Sequence, residues 1–331
     1  MRVVAAPDKL RGTASAADAA AAIARAARTA GWECDEVPVA DGGEGTLDVL
    51  GGANRTTIVT GPLGDDVIAG WRYAGDTAVV EMARASGLAL LAGPDANDPV
   101  AASTSGTGEL IAAAIDAGCR RIIIGVGGSA TTDGGLGALR ALEPLSRLRA
   151  VELIVACDVR TTFVDAARAF APQKGATPAQ VELLHRRLER LAQVYEETYG
   201  VDVRALTGSG AAGGLAGGLA CAAAQLIAGF DVVADEVDLP DRVEGADLVV
   251  TAEGFLDEHS FEGKVVGGVH TLAAANDVPV LAVVGEVLEG VALPDGLDVV
   301  SLVERFGGEL ARQDTVNCIE RIVTERLTST T

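Results

Sequence analysis

Five stretches of this chain set a carboxylate or hydroxyl cluster among glycines: Asp8-Lys9, the run DGGEGT from Asp41 to Thr46, Thr104-Ser105-Gly106-Thr107, Ser129 to Asp133, and Glu253 to Lys264. Glycine lets backbone amides come close to a ligand, and hydroxyls beside a carboxylate offer phosphate donors next to a metal ligand. Phosphoryl transfer needs this inventory: cations and amides around the phosphates, a metal held by carboxylates, and a base near the attacking hydroxyl. A helix N-terminus contributes only about 0.3–1 kcal/mol per exposed charge. Lysines and Mg²⁺ must therefore supply most of the attraction for a polyphosphate.

That demand is sharpened by the charge. The chain has 331 residues and a formal net charge of −21, which argues against nucleic acid and anionic membrane surfaces as partners. Only three of the 26 basic residues are lysines, namely Lys9, Lys174 and Lys264, and each lies close to glycine. A chain that uses arginine almost everywhere keeps lysine where a compact point charge is wanted. Five cysteines, odd in number and without a CxxC pair, fit a reducing compartment and give no zinc signature. Met1 leads straight into a strand without a signal-peptide pattern, so the expected location is the cytoplasm.

The elements that must position these loops read as α/β. Residues 3–6 form a strand, and a helix follows with Ser15 and Asp18 as a capping box and Gly31 as its stop. Strand, loop and helix then repeat, which predicts mostly parallel sheets with ligand loops at the carboxyl ends of strands. Residues 67–73 and 77–82 read as a hairpin turning at Gly75-Asp76, a break that marks a second domain. The expected division is a Rossmann-like α/β domain of residues 1–65 plus 235–331 and an inserted α/β domain of residues 66–234, with a ligand cleft between them. Ile122, Ile123 and Ile124 form a buried strand that empties into GVGGSATTDGG. Thr177, Pro178 and Gln180 open the clearest helix, which runs to Gly200. From Ala205 to Phe230 there is no charge. Gly and Ala contribute little transfer energy, so a closely packed internal helix, its glycine-rich start facing a ligand, is preferred to a membrane span.

Neither common nucleotide fingerprint fits. No GxxxxGK[ST] is present, which excludes a P-loop. Gly125, Gly127 and Ala130 spell GxGxxA after a strand, the sole basis for an NAD-dependent dehydrogenase, but Gly134 and Gly135 break the helix that should follow.

Ten segments in order carry a resemblance: APDKLRGT (6–13), VADGGEGT (39–46), TGPLG (60–64), EMARASGL (81–88), SGTGELI (105–111), GVGGSATTDGG (125–135), ACDV (156–159), PQKGAT (172–177), GAAGGL (210–215) and the EGxLD to GK run (253–264). Together they resemble the type-1 class of bacterial glycerate kinases. The resemblance implies two α/β domains and phosphorylation of D-glycerate, to 2-phosphoglycerate, with ATP and Mg²⁺. Three departures stand out: a shorter segment between Arg140 and Val151, Arg160-Thr161-Thr162 in place of Asn-Pro-Leu, and AEGFLDEH in place of GEGRLDxQ. A relative that binds glycerate or nucleotide without catalysis is the alternative these departures raise.

On this reading Lys9 and Arg11 hold the substrate carboxylate or the phosphate in transit, with Glu44 and Lys264 beside the substrate. Asp41, or after it Asp8, accepts the hydroxyl proton. Gly127, Gly128, Ser129 and Thr131 line the nucleotide phosphates, Asp133 binds Mg²⁺, and Lys174 or Lys264 neutralises developing charge. The expected partner is a small molecule, and homo-oligomerisation is left open.

Overall fold

The computed structural model describes every residue except Arg11, Glu262, Thr330 and Thr331. The expected substrate contact Arg11 therefore lies outside the described residues. Among the described residues the strands are β1 (Arg2–Ala5), β2 (Glu33–Glu36), β3 (Arg55–Thr60), β4 (Asp66–Ala74), β5 (Thr77–Glu81), β6 (Arg121–Gly125), β7 (Glu152–Cys157), β8 (Gln225–Ala228), β9 (Leu248–Leu256), β10 (Val280–Val287) and β11 (Leu297–Ser301). The chain is mixed α/β with two sheets, mostly parallel, as its strand–helix alternation predicts.

The first compact unit comprises Met1–Asp41 and Phe230–Thr331. Its sheet has the order β11-β10-β9-β1-β2, with every pairing parallel. Numbered within the unit this is 2-1-3-4-5, the flavodoxin-like form of the doubly wound fold rather than the strand order 3-2-1-4-5-6. The helices Ala16–Thr29 and Thr315–Thr328 bury Ile23, Ile319 and Val323 against Val3, Val250 and Leu281. Ser15 accepts from the Asp18 amide, and the Asp18 carboxylate accepts in return from the Ser15 amide. The connections reverse direction between β1 and β9, and such a switch point opens a crevice at the carboxyl ends of those two strands.

The second unit is Gly42–Gly229. Its sheet runs β3-β4-β5-β6-β7-β8, antiparallel through β3, β4 and β5 and parallel beyond. This compact unit begins at residue 42, ahead of the boundary expected near residue 65. The unforeseen strand β3 pairs with β4 from Arg55–Trp71 to Thr60–Asp66, which draws the preceding residues into this sheet. At the other end Phe230 to Ala234 fall in the first unit, not the second. The two ends of the second unit touch: a Cβ added to Gly42 would lie 2.7 Å from the Gly229 Cα.

The helix Pro178–Tyr199 carries the expected capping box of Thr177 and Gln180. It buries Leu184, Leu188 and Tyr195, and the Tyr195 hydroxyl donates to the Gly134 carbonyl at 2.9 Å. The uncharged stretch after Ala205 is a buried helix only over Ala211–Ala220, and then becomes β8. No helix among the described residues is long and apolar enough to cross a membrane.

Candidate functional site

In the first unit the chain leaves β1 along the edge of β9. The Ala6 amide donates to the Val250 carbonyl at 2.8 Å and the Asp8 amide to that of Ala252 at 2.9 Å. On the other side the amides of Val37 and Val39 donate to Ala5 and Pro7, which carries the chain after β2 alongside to Asp41. These bonds gather Asp8, Lys9 and Asp41 with Glu253, at the β1/β9 switch point. Sequence reasoning anticipated the first three but gave Glu253 no role.

Asp8 is buried, and its Oδ1 accepts from the Lys9 amide at 2.6 Å with Lys9 Nζ at 3.6 Å. Burial pushes its carboxyl up to about 6, against the pull of Lys9 and with a further push from Asp41. Glu253 is pushed up to about 8, chiefly by burial. Lys264 opposes that shift, while Asp8, Asp41 and Asp257 add to it. Glu253 Oε2 is buried without a hydrogen-bond partner. Lys264 stands at the N-cap of the helix Val265–Ala274, its Nζ 3.8 Å from Asp257 Oδ1. The expected substrate contact Lys264 thus joins Lys9, Asp8 and Asp41 in one unit.

The remaining candidates lie in the second unit. Glycine at 127 is required by close approach, since a Cβ there would lie 2.8 Å from Gly43 Cα and 2.9 Å from the Glu44 nitrogen. The 43–47 turn is pinned from the end of β5 by Glu81, whose Oε1 accepts from the amides of Gly45 and Leu47, both at 2.9 Å. Glu81 is buried and is a positioning residue that sequence reasoning missed. Its place at a strand terminus before a glycine turn was the available signal. Glu44 is exposed, and its backbone nitrogen lies against Gly127. Gly128 is exposed and Ser129 half-buried. The Leu88 amide donates to Gly128 and that of Ala130 to Ser86, which fix this loop like a short strand pair.

Thr131, Asp133 and Lys174 turn inward. Asp133 Oδ2 accepts from the Thr104 amide (2.9 Å), the Thr104 hydroxyl (2.8 Å) and the Gly137 amide (3.2 Å), and Oδ1 accepts from the Gly135 amide (3.1 Å). This corrects the expectation of a metal ligand: the carboxylate is spent on holding its own turn to the start of the helix Ser105–Asp116. Among the described residues no group of three or more His, Cys, Asp or Glu is placed to hold a metal ion. Thr131 is fully buried, its hydroxyl without a partner, and its carbonyl accepts from Lys174 Nζ at 2.6 Å. Lys174 is itself buried, so it braces the turn instead of meeting phosphate. Gly127, Gly128 and Ser129 are the less buried part of the loop.

Burial lowers the Lys174 amine from its ordinary 10.5 to about 7, with Asp133 opposing. Between those values the unfolded chain binds a proton that the folded chain does not, so stability rises with pH across that window and is lost as pH falls through about 7. Lys174→Met is expected to flatten that rise by on the order of 3 kcal/mol, read as urea midpoints for both proteins at about pH 7 and about pH 10. An unchanged slope would place the amine in solvent.

The glycine-rich helix start supports the same turn. Ala212, Gly213 and Gly214 have φ of 52°, 68° and 91°, three left-handed residues in succession, and the Gly213 carbonyl accepts from the Gly134 amide at 3.0 Å. The expected ligand-facing start of that helix instead faces residues 131–134 of the protein itself.

A model of the glycerate kinase family matches residues 3–145 and 143–327. The two matches meet inside the shortened segment between Arg140 and Val151. The chain is 40% identical to a glycerate kinase of Bacillus subtilis (strain 168) over 87% of its own length and 85% of the relative's. It is 38% identical to a glycerate 2-kinase of Escherichia coli (strain K12), covering 91% of this chain and 90% of that one. The crystal structure of a Salmonella typhimurium LT2 protein, a candidate glycerate kinase 2, superposes with a TM-score of 0.83 at 34% identity, covering 100% of this chain and 99% of the other.

Proposed function

Because this chain belongs to the glycerate kinase family, we propose that it transfers the γ-phosphoryl group of ATP to the C2 hydroxyl of D-glycerate, giving 2-phosphoglycerate and ADP. The C2 position follows the Escherichia coli relative named glycerate 2-kinase. One observation carries the reading: Asp8, Asp41 and Glu253 gather with Lys9 and Lys264 at the switch point of the 2-1-3-4-5 sheet, where open α/β sheets bind ligands.

In this mechanism the Lys9 ammonium holds the substrate carboxylate, and Asp41 accepts the hydroxyl proton as the oxygen attacks phosphorus. Asp8 is less suited to that role because its Oδ1 already accepts from Lys9. Lys264 balances charge on the transferred group, and the glycine loop at residues 127–129 offers amides to the nucleotide. Mg²⁺ arrives with the nucleotide in this proposal. No side chain is assigned to it and no step is routed through it. The five thiols, all free, support a reducing compartment such as the cytoplasm.

The test is ATP turnover across a panel of hydroxy acids with Mg²⁺, with the product identified by its conversion through enolase, which accepts 2-phosphoglycerate alone. Turnover with D-glycerate and enolase-competent product is expected. ADP formation with none of the panel would overturn the assignment. Stabilisation by NAD with none by Mg·ATP would point to the dehydrogenase.

A further inference from the structure

We propose that Glu253 carries a proton in the substrate-free site and uses it to donate a hydrogen bond to the carboxylate of the bound hydroxy acid. The inference rests on the reading above, that the acid binds at the carboxyl ends of β1 and β9.

Three observations converge on this residue. The first is an orphaned atom: Glu253 Oε2 is buried with no donor in reach. Its neighbours differ, since Asp8 accepts from the Lys9 amide and Asp257 from the Ser260 hydroxyl. An ionised oxygen deprived of both water and donors is costly, whereas a carboxylic acid in the same place is not charged. The second is the surrounding charge. Asp8 faces Glu253 from the segment after β1, with Lys9 paired to Asp8, Asp41 faces it from the segment after β2, and Asp257 and Lys264 from the loop after β9 itself. From β10 the register partner of Glu253 is Val284, which brings no charge, and Glu286 pairs farther along with Phe255. Four carboxyl groups thus meet two ammonium groups, and an anionic substrate must still enter. A proton on Glu253 removes one repulsive charge and supplies a donor. The third is position: Glu253 lies on the strand that shares the switch point with β1, just beyond the last β1 pairing at Val250 and still paired with Val284 of β10. The upward push on its carboxyl, to about 8, agrees with this geometry.

The proton stays on Glu253 through the reaction. The hydroxyl proton goes to Asp41, so the donor and the base remain separate groups.

The experiment has two arms. Infrared difference spectra of substrate-free protein near neutral pH, wild type minus Glu253→Gln, are expected to contain the carbonyl stretch of a protonated carboxylic acid. Absence of that band overturns the proposal whatever the substrate proves to be. The second arm is the KM for D-glycerate as a function of pH. In the wild type KM is expected to rise about tenfold per pH unit above about 8, as the donor is lost. Glu253→Gln, a permanent neutral donor, keeps KM near the wild-type value and makes it flat with pH. Glu253→Ala raises it roughly 10–100-fold. If Glu253→Gln binds as poorly as Glu253→Ala, or wild-type KM is flat, the residue is not a donor to substrate. A wild type that shows the infrared band but turns over no hydroxy acid would instead sink the substrate assignment.

Discussion

Asp41→Asn is expected to lower kcat by roughly 10²–10⁴-fold, the usual worth of a positioned general base, with KM for D-glycerate changed only a few-fold. Three carboxyl groups compete for that role, and their surroundings separate them. Asp8 is buried and bonded to Lys9. Glu253 is assigned the proton it already holds. Asp41 is half-buried at the last position of the first unit, close enough to act on both Asp8 and Glu253, and in the proposed mechanism it takes the proton from the bound hydroxyl. Asp8→Asn should cost less in kcat, because its contribution is to place Lys9. A second readout follows from the same charges. Asp41 is among the groups that push Glu253 upward, so its removal should move the alkaline rise in KM to lower pH. Thermal midpoints separate a chemical defect from a folding one. An Asp41→Asn enzyme that turns over like the wild type would place the base elsewhere.

Gly213→Ala should destabilise the protein by ~2–5 kcal/mol, combining left-handed strain on an L-residue with overpacking. A Cβ there would lie 2.0 Å from the Thr131 oxygen and 2.7 Å from Thr132 Cα, and backbone atoms cannot swing aside as a side-chain tip can. The same substitution at Gly118 isolates the conformational part. That residue also has a positive φ, +97°, but a Cβ would meet nothing within 4 Å, so the cost should stay near ~1–2 kcal/mol. Urea unfolding midpoints of the two variants make the comparison. Similar midpoints would mean that the 131–135 turn is free to yield, and the bracing ascribed to Lys174 and Tyr195 would fall with it.

Much of the architecture was legible because local chemistry and tertiary structure agree. Ser15 with Asp18 and Thr177 with Gln180 are satisfied capping boxes. The hairpin turning at Gly75, with φ +63°, lies where the alternating residues predicted it. Three strands escaped notice. β3 reads RTTIVT, weakly alternating, and its pairing with β4 is a tertiary fact. β8 spans four residues inside an uncharged run, where a short apolar segment has no distinguishing period. β11 follows a loop that carries no helix signal. Of the candidate site residues, Asp8, Lys9, Asp41 and Lys264 lie in one unit. What composition could not disclose was the direction of lone pairs. Asp133 and Lys174 have the right chemistry for metal and phosphate, yet both are committed to neighbouring backbone groups. Glu253 escaped for the converse reason, since a missing partner is visible only once the neighbours are in place.

The contact between Gly42 and Gly229 has a practical meaning for anyone who wishes to rebuild this molecule. A stretch that begins and finishes at the same doorway is a cassette: it can be lifted out between Asp41 and Phe230, exchanged for the corresponding piece of a relative, and spliced back without a linker. Chimeras made at those two joints would report which half of the chain sets the choice of acceptor.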